Sequence, residues 1–262
     1  MPAPASGDRS LEELVAEASR ETARILRDVV HDLPEGQIPV VRALLLASLV
    51  LACVDDLKRG RAPRTSERAE RMLARLSKPG NLAKLVRLCE FYESALEDSR
   101  ARVVVDVGCG AGSNLLLCSV LGVGEALVGL DLDARFLSAA RLLVPEADLV
   151  LGDAALPPFR ESSADLVLAT GLLHELPDPR AVRVFAAMLR EGGVLVIGDA
   201  ATRWIPRFLL RAARVLTLGA LEIPHPAGWI RRELERAGLR PIRELEIWRG
   251  PLGLLCIESL KP

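Results

Sequence analysis

From residue 102 onward the chain alternates short, β-branched apolar runs with segments of helical periodicity, and no other feature limits its fold so sharply. Runs at 102–107, 126–130, 147–151, 164–169 and 193–198 read as strands, and segments at 113–121, 134–143 and 180–190 as the helices between them. Strands that are apolar along their whole length are buried on both faces, so this rhythm predicts a parallel sheet with helices on either side. The end of the chain breaks the rhythm. Runs at 241–248 and 252–260 are separated only by Arg249, Gly250 and Pro251, a connection so short that it forces an antiparallel pair.

The first hundred residues lack strands and read as four helices. Ser10 with Glu13 three residues on forms a capping box opening a helix over 11–33, which Pro34, Glu35 and Gly36 end. A second helix is expected over 39–57, a third from a Ser66 cap to about Leu76, and a fourth from an Asn81 cap. The apolar stretch 38–54 is interrupted by Arg42, and its unbroken part, 43–54, is too short to span a bilayer; it reads as a buried helix. The opening residues are polar and acidic, without the apolar core of a signal peptide. Charge is uneven within a nearly neutral chain. Residues 1–57 hold ten acids against five arginines, whereas residues 58–87 hold ten bases against two acids. A solvated helix face accounts for that run, and a surface for an anionic partner is the sharper alternative.

Composition removes several classes. Aromatic residues make up only 3% of the chain, which speaks against reading single-stranded nucleic acid by base stacking. Five scattered cysteines, without a CxxC pair, argue for a reducing compartment. The three histidines (His31, His174 and His225) are far apart in sequence, so no structural zinc site is expected.

The chemistry concentrates at the ends of the expected strands. Asp106, Val107, Gly108, Cys109, Gly110, Ala111 and Gly112 follow the first strand and open a helix, where glycines allow close backbone approach and the helix offers free N–H groups. Asp131 closes the second strand, and Gly152, Asp153 and Ala154 follow the third. Three consecutive strands therefore carry acids at their carboxyl ends, the edge at which open α/β sheets bind ligands. The glycine spacing is G-x-G-x-G, not the G-x-G-x-x-G of dinucleotide sites, which disfavours a nicotinamide dehydrogenase.

With VVVDVGCGAGSN, VGLDLD, LGDAALPPF, ADLVLATGLLHELPDP and LREGGVLVIGD in that order, residues 102–262 resemble the class I S-adenosylmethionine-dependent methyltransferases, specifically the small-molecule type that includes the ubiquinone/menaquinone-biosynthesis enzymes. The resemblance implies an α/β, Rossmann-like sheet of seven strands in order 3-2-1-4-5-7-6 with strand 7 antiparallel, forming a methyltransferase domain over 101–262. Residues 1–100 would be a helical region serving as lid, acceptor wall or partner surface. The resemblance also implies S-adenosyl-L-methionine as cofactor, S-adenosyl-L-homocysteine as product, and no metal. Carried over by position, Gly108, Cys109, Gly110 and Gly112 pass under the methionine moiety and Asp106 orients its amino group. Asp131 holds the ribose, Leu132 packs on the adenine, and Asp153 and the Ala154 N–H meet the adenine edge. Thr170 and Gly171 line the methionine end.

His174 lies three residues past Gly171, and its ordinary titration range suits a general base; a local hydrogen-bonding role is the plainer alternative. Glu175 is a weaker candidate. The relatives that methylate amides carry an Asn/Asp-Pro-Pro-Tyr/Phe motif after strand four, and Ala169, Thr170, Gly171, Leu172 and Leu173 stand there instead. Further on, Arg203, Arg207, Arg211 and Arg214 recur on one face of an expected helix, opposite Ile205, Phe208 and Leu209. That segment suits a packed helix or contact with an anionic membrane surface, and Trp204, Phe208 and Trp229 are candidate acceptor walls. The expected activity is methyl transfer to a small, apolar or lipophilic acceptor by a cytoplasmic protein, with peripheral membrane contact open. An RNA methyltransferase using the basic 58–87 helices and a non-catalytic cofactor-binding scaffold are the alternatives. The acceptor and the oligomeric state are not legible.

Overall fold

The computed structural model describes residues 9–176, 181–203 and 224–262. Trp204, Phe208, Arg207, Arg211 and Arg214 lie outside the described residues. Helix α1 (Leu11–Val29) opens at the expected capping box: the Ser10 hydroxyl accepts from the Glu13 N–H and the Glu13 carboxylate accepts from the Ser10 N–H. It ends early, giving way to two single 3₁₀ turns on either side of Pro34 before α2 (Ile38–Lys58).

Helices α3 (Thr65–Leu76) and α4 (Asn81–Ser99) complete the N-terminal layer, and their caps differ from the sequence expectation. Ser66 falls inside the first turn of α3 and donates to Glu17 and Glu21 of α1, so it ties two helices together. Gly80, at φ +74°, is the cap of α4, and the Asn81 amide donates to the Arg75 carbonyl at 2.7 Å.

Helix α2 is largely apolar, and the 24-residue stretch Glu35–Lys58, which contains an 18-residue window of mean hydropathy 2.1, is long and apolar enough to cross a membrane. Here it packs against α1 on one side and against helices of the following domain on the other, burying Val40, Val41, Leu45, Leu49, Val50 and Val54. A helix enclosed on two sides needs no polar face.

Six of the ten bases between 58 and 87 have acidic partners within the chain: Lys58 with Asp133, Arg59 with Asp55, Arg61 and Arg68 with the buried Asp56, and Arg64 and Arg71 with Glu67. Burial pushes the Asp56 carboxyl up, but hydrogen bonds from Arg68 and Arg61 outweigh it and hold the group below its ordinary value.

The remaining elements run β1 (Val103–Val107), α5 (Ser113–Leu121), β2 (Ala126–Asp131), α6 (Ala134–Leu143), β3 (Asp148–Leu151), β4 (Ala164–Thr170), α7 (Ala181–Met188), β5 (Leu189–Thr202), β6 (His225–Pro226), α8 (Ala227–Arg236), β7 (Arg240–Arg249) and β8 (Leu252–Leu260). The sheet order is β3-β2-β1-β4-β5-β8-β7, with β8 antiparallel to both β5 and β7, which is the expected topology. One correction applies: the two-residue β6 pairs in parallel with Ala201 and Thr202, making an eighth strand. Strand β5 is also longer than its apolar run, because β8 pairs with it continuously from Val194 to Thr202.

Alternation along the strands sends side chains to two cores. Val104, Leu166, Leu168, Val196 and Cys256 face the side covered by α4, α5 and the N-terminal layer. Val105, Val167, Leu195, Ile197 and Ile257 face α7 and α8, where Phe185, Ile230 and Leu234 are buried. The carboxyl ends of β1, β2, β4 and β5 are left to form the site.

Candidate cofactor and active site

The glycine loop is pinned to β2 by a single carbonyl: Leu130 accepts from the Gly108 N–H at 2.7 Å and from the Cys109 N–H at 2.9 Å. Three of its positions require glycine, Gly112 among them, with φ +84° and a would-be Cβ 3.1 Å from Ala140 Cβ. At Gly108, φ is +70° and a Cβ would lie 2.7 Å from Leu172 Cδ1; at Gly110, φ is +52° and a Cβ would lie 3.1 Å from Leu51 Cδ1 of α2. The N-terminal layer thus reaches the glycine loop directly. Gly112 is the N-cap of α5. Cys109 is buried, and burial first, with Asp106 and Asp131 nearby, pushes its thiol far up, so it is a space-filling residue and not a nucleophile.

Asp106 is fully buried at the end of β1. One oxygen accepts from Asn114 Nδ2 at 2.8 Å, and the same amide donates to Thr170 Oγ1 at 2.8 Å, joining the ends of β1 and β4 through α5. The other oxygen, Oδ2, has no hydrogen-bond partner among the described residues. Burial, with a smaller contribution from Asp131, pushes this carboxyl up to about 7 against the opposing Asn114 bond.

Asp131 uses both carboxylate oxygens within the chain: Oδ2 accepts from the Gly110 N–H at 2.8 Å and Oδ1 from the Asp133 N–H at 2.9 Å. It therefore shapes the loop, and each oxygen keeps a lone pair for a further donor. Leu132, 73% exposed, stands just beyond it. Asp153 is exposed, and its Oδ1 accepts from the Ala155 N–H at 2.8 Å, so it also caps a turn, with Ala154 half-buried between them.

At the ends of β4 and β5 the Gly171 N–H donates to the Gly198 carbonyl at 2.7 Å. His174 follows, its side chain 11% exposed, with Nδ1 2.8 Å from Oδ1 of the wholly buried Asp199. Asp199 also accepts from the Leu173 N–H at 2.6 Å. His225 donates through Nε2 to the Leu173 carbonyl at 2.8 Å and stacks on Trp229 with ring centroids 4.1 Å apart. The sequence reading had placed Trp229 as an acceptor wall and did not assign Asp199. The signal was present, since Asp199 ends an apolar run as Asp106 and Asp131 do. Tyr92 of α4, the chain's one tyrosine, was also missed. It is buried over β5, and a Cβ at Gly198 would lie 2.1 Å from its hydroxyl.

An open sheet in this strand order, with β8 antiparallel beside β5 and a glycine loop after β1, is the class I methyltransferase fold. Residues 105–197 match the family described as a methyltransferase domain. A trans-aconitate 2-methyltransferase from Delftia acidovorans is 38% identical over 106 residues, covering 38% of each chain. Its counterpart from Methylobacterium radiotolerans is 33% identical over 158 residues, covering 56% of this chain and 60% of the relative. The chain thus spans less than two thirds of the length of these relatives. The crystal structure of an S-adenosylmethionine-dependent methyltransferase from Mesorhizobium loti superposes with a TM-score of 0.55 at 20% identity, over 65% of this chain and 96% of that one.

Proposed function

We propose that the protein transfers a methyl group from S-adenosyl-L-methionine to a small acceptor bound at the carboxyl edge of β4 and β5. The observation that carries this reading is the pairing of a close-approach glycine loop with an acid whose Oδ2 is buried without a hydrogen-bond partner among the described residues, in a segment that matches the methyltransferase domain family. The residues at this edge fit that cofactor: Asp106 Oδ2 offers an acceptor to its ammonium group, Asp131 retains lone pairs for ribose hydroxyls, and exposed Leu132 offers an apolar face. When bound, S-adenosylmethionine supplies an electrophilic methyl group on sulfur and leaves as S-adenosyl-L-homocysteine. The chain's own task is to hold the acceptor in line, keep water out and take up a proton where the acceptor carries one on its attacking atom. His174 is the group assigned that proton. We keep the small, apolar acceptor read from the sequence, with Leu172, Leu176 and Trp229, apolar and only partly buried, as its candidate walls.

A carboxylate acceptor is the second reading, favoured by the name that the relatives carry, trans-aconitate 2-methyltransferase. Methylation of a carboxylate oxygen removes no proton, so it would leave His174 without that duty. We assign the reaction to the cytoplasm, in keeping with five buried cysteines that are all free thiols.

Two measurements test the proposal. Calorimetric titration with S-adenosylmethionine should give binding that Asp131→Ala reduces at least tenfold, with about 1–3 kcal/mol of stability also lost as the Gly110 and Asp133 amides lose their acceptor. Incubation with methyl-labelled cofactor, trans-aconitate in one vessel and cell extract in another, should place label in an organic-extractable acceptor. Label on trans-aconitate favours the second reading, and absence of cofactor binding overturns both.

A further inference from the structure

We propose that Asn114 is a positioning residue: its amide clamps one oxygen of Asp106 to the end of β4, so that the other, Oδ2, is kept for the ammonium group of the cofactor. This rests on the reading of the site as one for S-adenosylmethionine.

Asn114 is the second residue of α5. An asparagine at a helix start ordinarily serves as a cap, its side chain turned to the free N–H groups there. No side chain caps α5, whose N-cap is Gly112, and Asn114 is buried instead. Its Nδ2 carries two hydrogens and both are used, one on Asp106 Oδ1 at 2.8 Å and the other on Thr170 Oγ1 at 2.8 Å. An ionised carboxylate can only accept, so the nitrogen of the amide, and not its oxygen, must meet Asp106. Strands β1 and β4 are already joined by their ladder, which pairs Asp106 with Leu168. What the amide adds is a fixed orientation of the carboxylate.

That orientation is incomplete without a further donor. Burying a carboxylate with one oxygen unpartnered is unfavourable, and a cluster built for packing alone would satisfy both. Oδ2 has no partner among the described residues. Asn114 therefore supports half of the carboxylate and leaves the other half to a donor from outside the chain. The same hydrogen bond favours the ionised form against the burial that raises this carboxyl. Among the described residues, the titratable groups around Asp106 are Asp131 at the end of β2, Cys109 in the loop, Cys118 on α5 and Tyr92 of α4. Burial holds both thiols and the phenol above their ordinary ranges, so none of the three gains charge below about pH 8. A shift at Asp106 on replacing Asn114 then reports the lost hydrogen bond.

Two measurements test this. Protein labelled with ¹³C at its aspartate carboxyls is titrated by NMR without cofactor, the Asp106 signal being the one absent from Asp106→Asn. Its wild-type midpoint lies at about 7. In Asn114→Leu the midpoint should lie about one unit higher, because the ionised form has lost its one side-chain donor. Thr170→Val, which frees the amide from β4, should move it the same way by less. Calorimetric titration with S-adenosylmethionine should follow the same shift. A one-unit rise makes Asn114→Leu bind about fivefold more weakly at pH 7, with the deficit closing above about pH 8. Should Asn114→Leu fail to fold, Thr170→Val decides by the same two readings. An Asp106 midpoint that neither variant moves overturns the proposal without recourse to the cofactor. A binding deficit of the same size at every pH also overturns it, since a residue needed only for packing behaves that way. A midpoint that moves in a protein that does not bind S-adenosylmethionine overturns the reading of the site, and with it the assignment of Oδ2 to an ammonium group.

Discussion

At the scale of single residues, the proposed cofactor role makes Asp106 a link between binding and pH. Its carboxyl titrates at about 7 in the folded protein, against an ordinary value near 4, chiefly because burial penalises the charged form. A cofactor ammonium beside Oδ2 would favour the ionised form, so affinity for S-adenosylmethionine should rise as pH climbs from 5.5 to about 7. Below that point it should fall by up to tenfold per unit. Asp106→Asn should bind more weakly and lose this pH dependence in calorimetric titration. Stability runs the other way. A group whose folded value is raised contributes stability below its unfolded value and loses it as pH passes through the folded one. Asp106→Asn should therefore exceed the wild type by about 1–3 kcal/mol in urea denaturation at pH 8 and lose that advantage at pH 5. No gain at pH 8 would mean that the buried charge carries no penalty. Asp106, Asp131 and Asp153 were legible because each is an acid closing an apolar run. The tasks of Asp199 and Tyr92 were not, because each is defined by partners on distant elements: Asp199 by Leu173 and His174, Tyr92 by Gly198 and Cys256.

At the scale of elements, the sequence rhythm located nearly every strand and helix, while contacts between elements set their ends. Ser66 was read as a cap from local chemistry, but Glu17 and Glu21 of α1 claim its hydroxyl. Strand β5 outruns its apolar segment because β8 pairs with it to Thr202. The packing of α4 on β5 is likewise set by a pair no local pattern reveals. The Tyr92 hydroxyl occupies the space above Gly198, and burial, then Cys256, Asp106 and Asp199, hold the phenol protonated well above its ordinary range. Gly198→Ala would drive a methyl group into that oxygen and should cost about 1–3 kcal/mol. Tyr92→Phe, which gives up only a weak contact with Cys256 Sγ at 3.9 Å, should cost less alone and should relieve part of the Gly198→Ala penalty. A double-mutant cycle by urea denaturation reads this directly. Strictly additive effects would mean that α4 shifts freely over β5 and does not key into it.

At the scale of the whole molecule, the N-terminal layer meets the sheet-bearing part of the chain at the glycine loop. Helix α2 packs on α5 and α6, Leu51 borders Gly110, and Lys58 pairs with Asp133 at 3.4 Å while lying 5.3 Å over the Phe136 ring. On its far side α2 is covered by α1, whose Leu14, Ala18, Ile25 and Val29 are buried. The sequence showed a capped first helix and a largely apolar second one without showing which surface received them, since that depends on the elements they meet. Removing α1 from α2 would uncover buried apolar residues of a long, largely apolar helix, so the two layers should unfold together. Cofactor at a hundred times its dissociation constant adds about 2.7 kcal/mol to any opening that destroys its site. Amide hydrogen exchange of residues 11–58 should therefore slow with S-adenosylmethionine in step with residues 103–107. Leu51→Ala should keep the fold and weaken that coupling, because the contact between α2 and the loop is shortened. Exchange over 11–58 that ignores the cofactor, while 103–107 responds, would show that the helical layer opens on its own and is not part of the cofactor site.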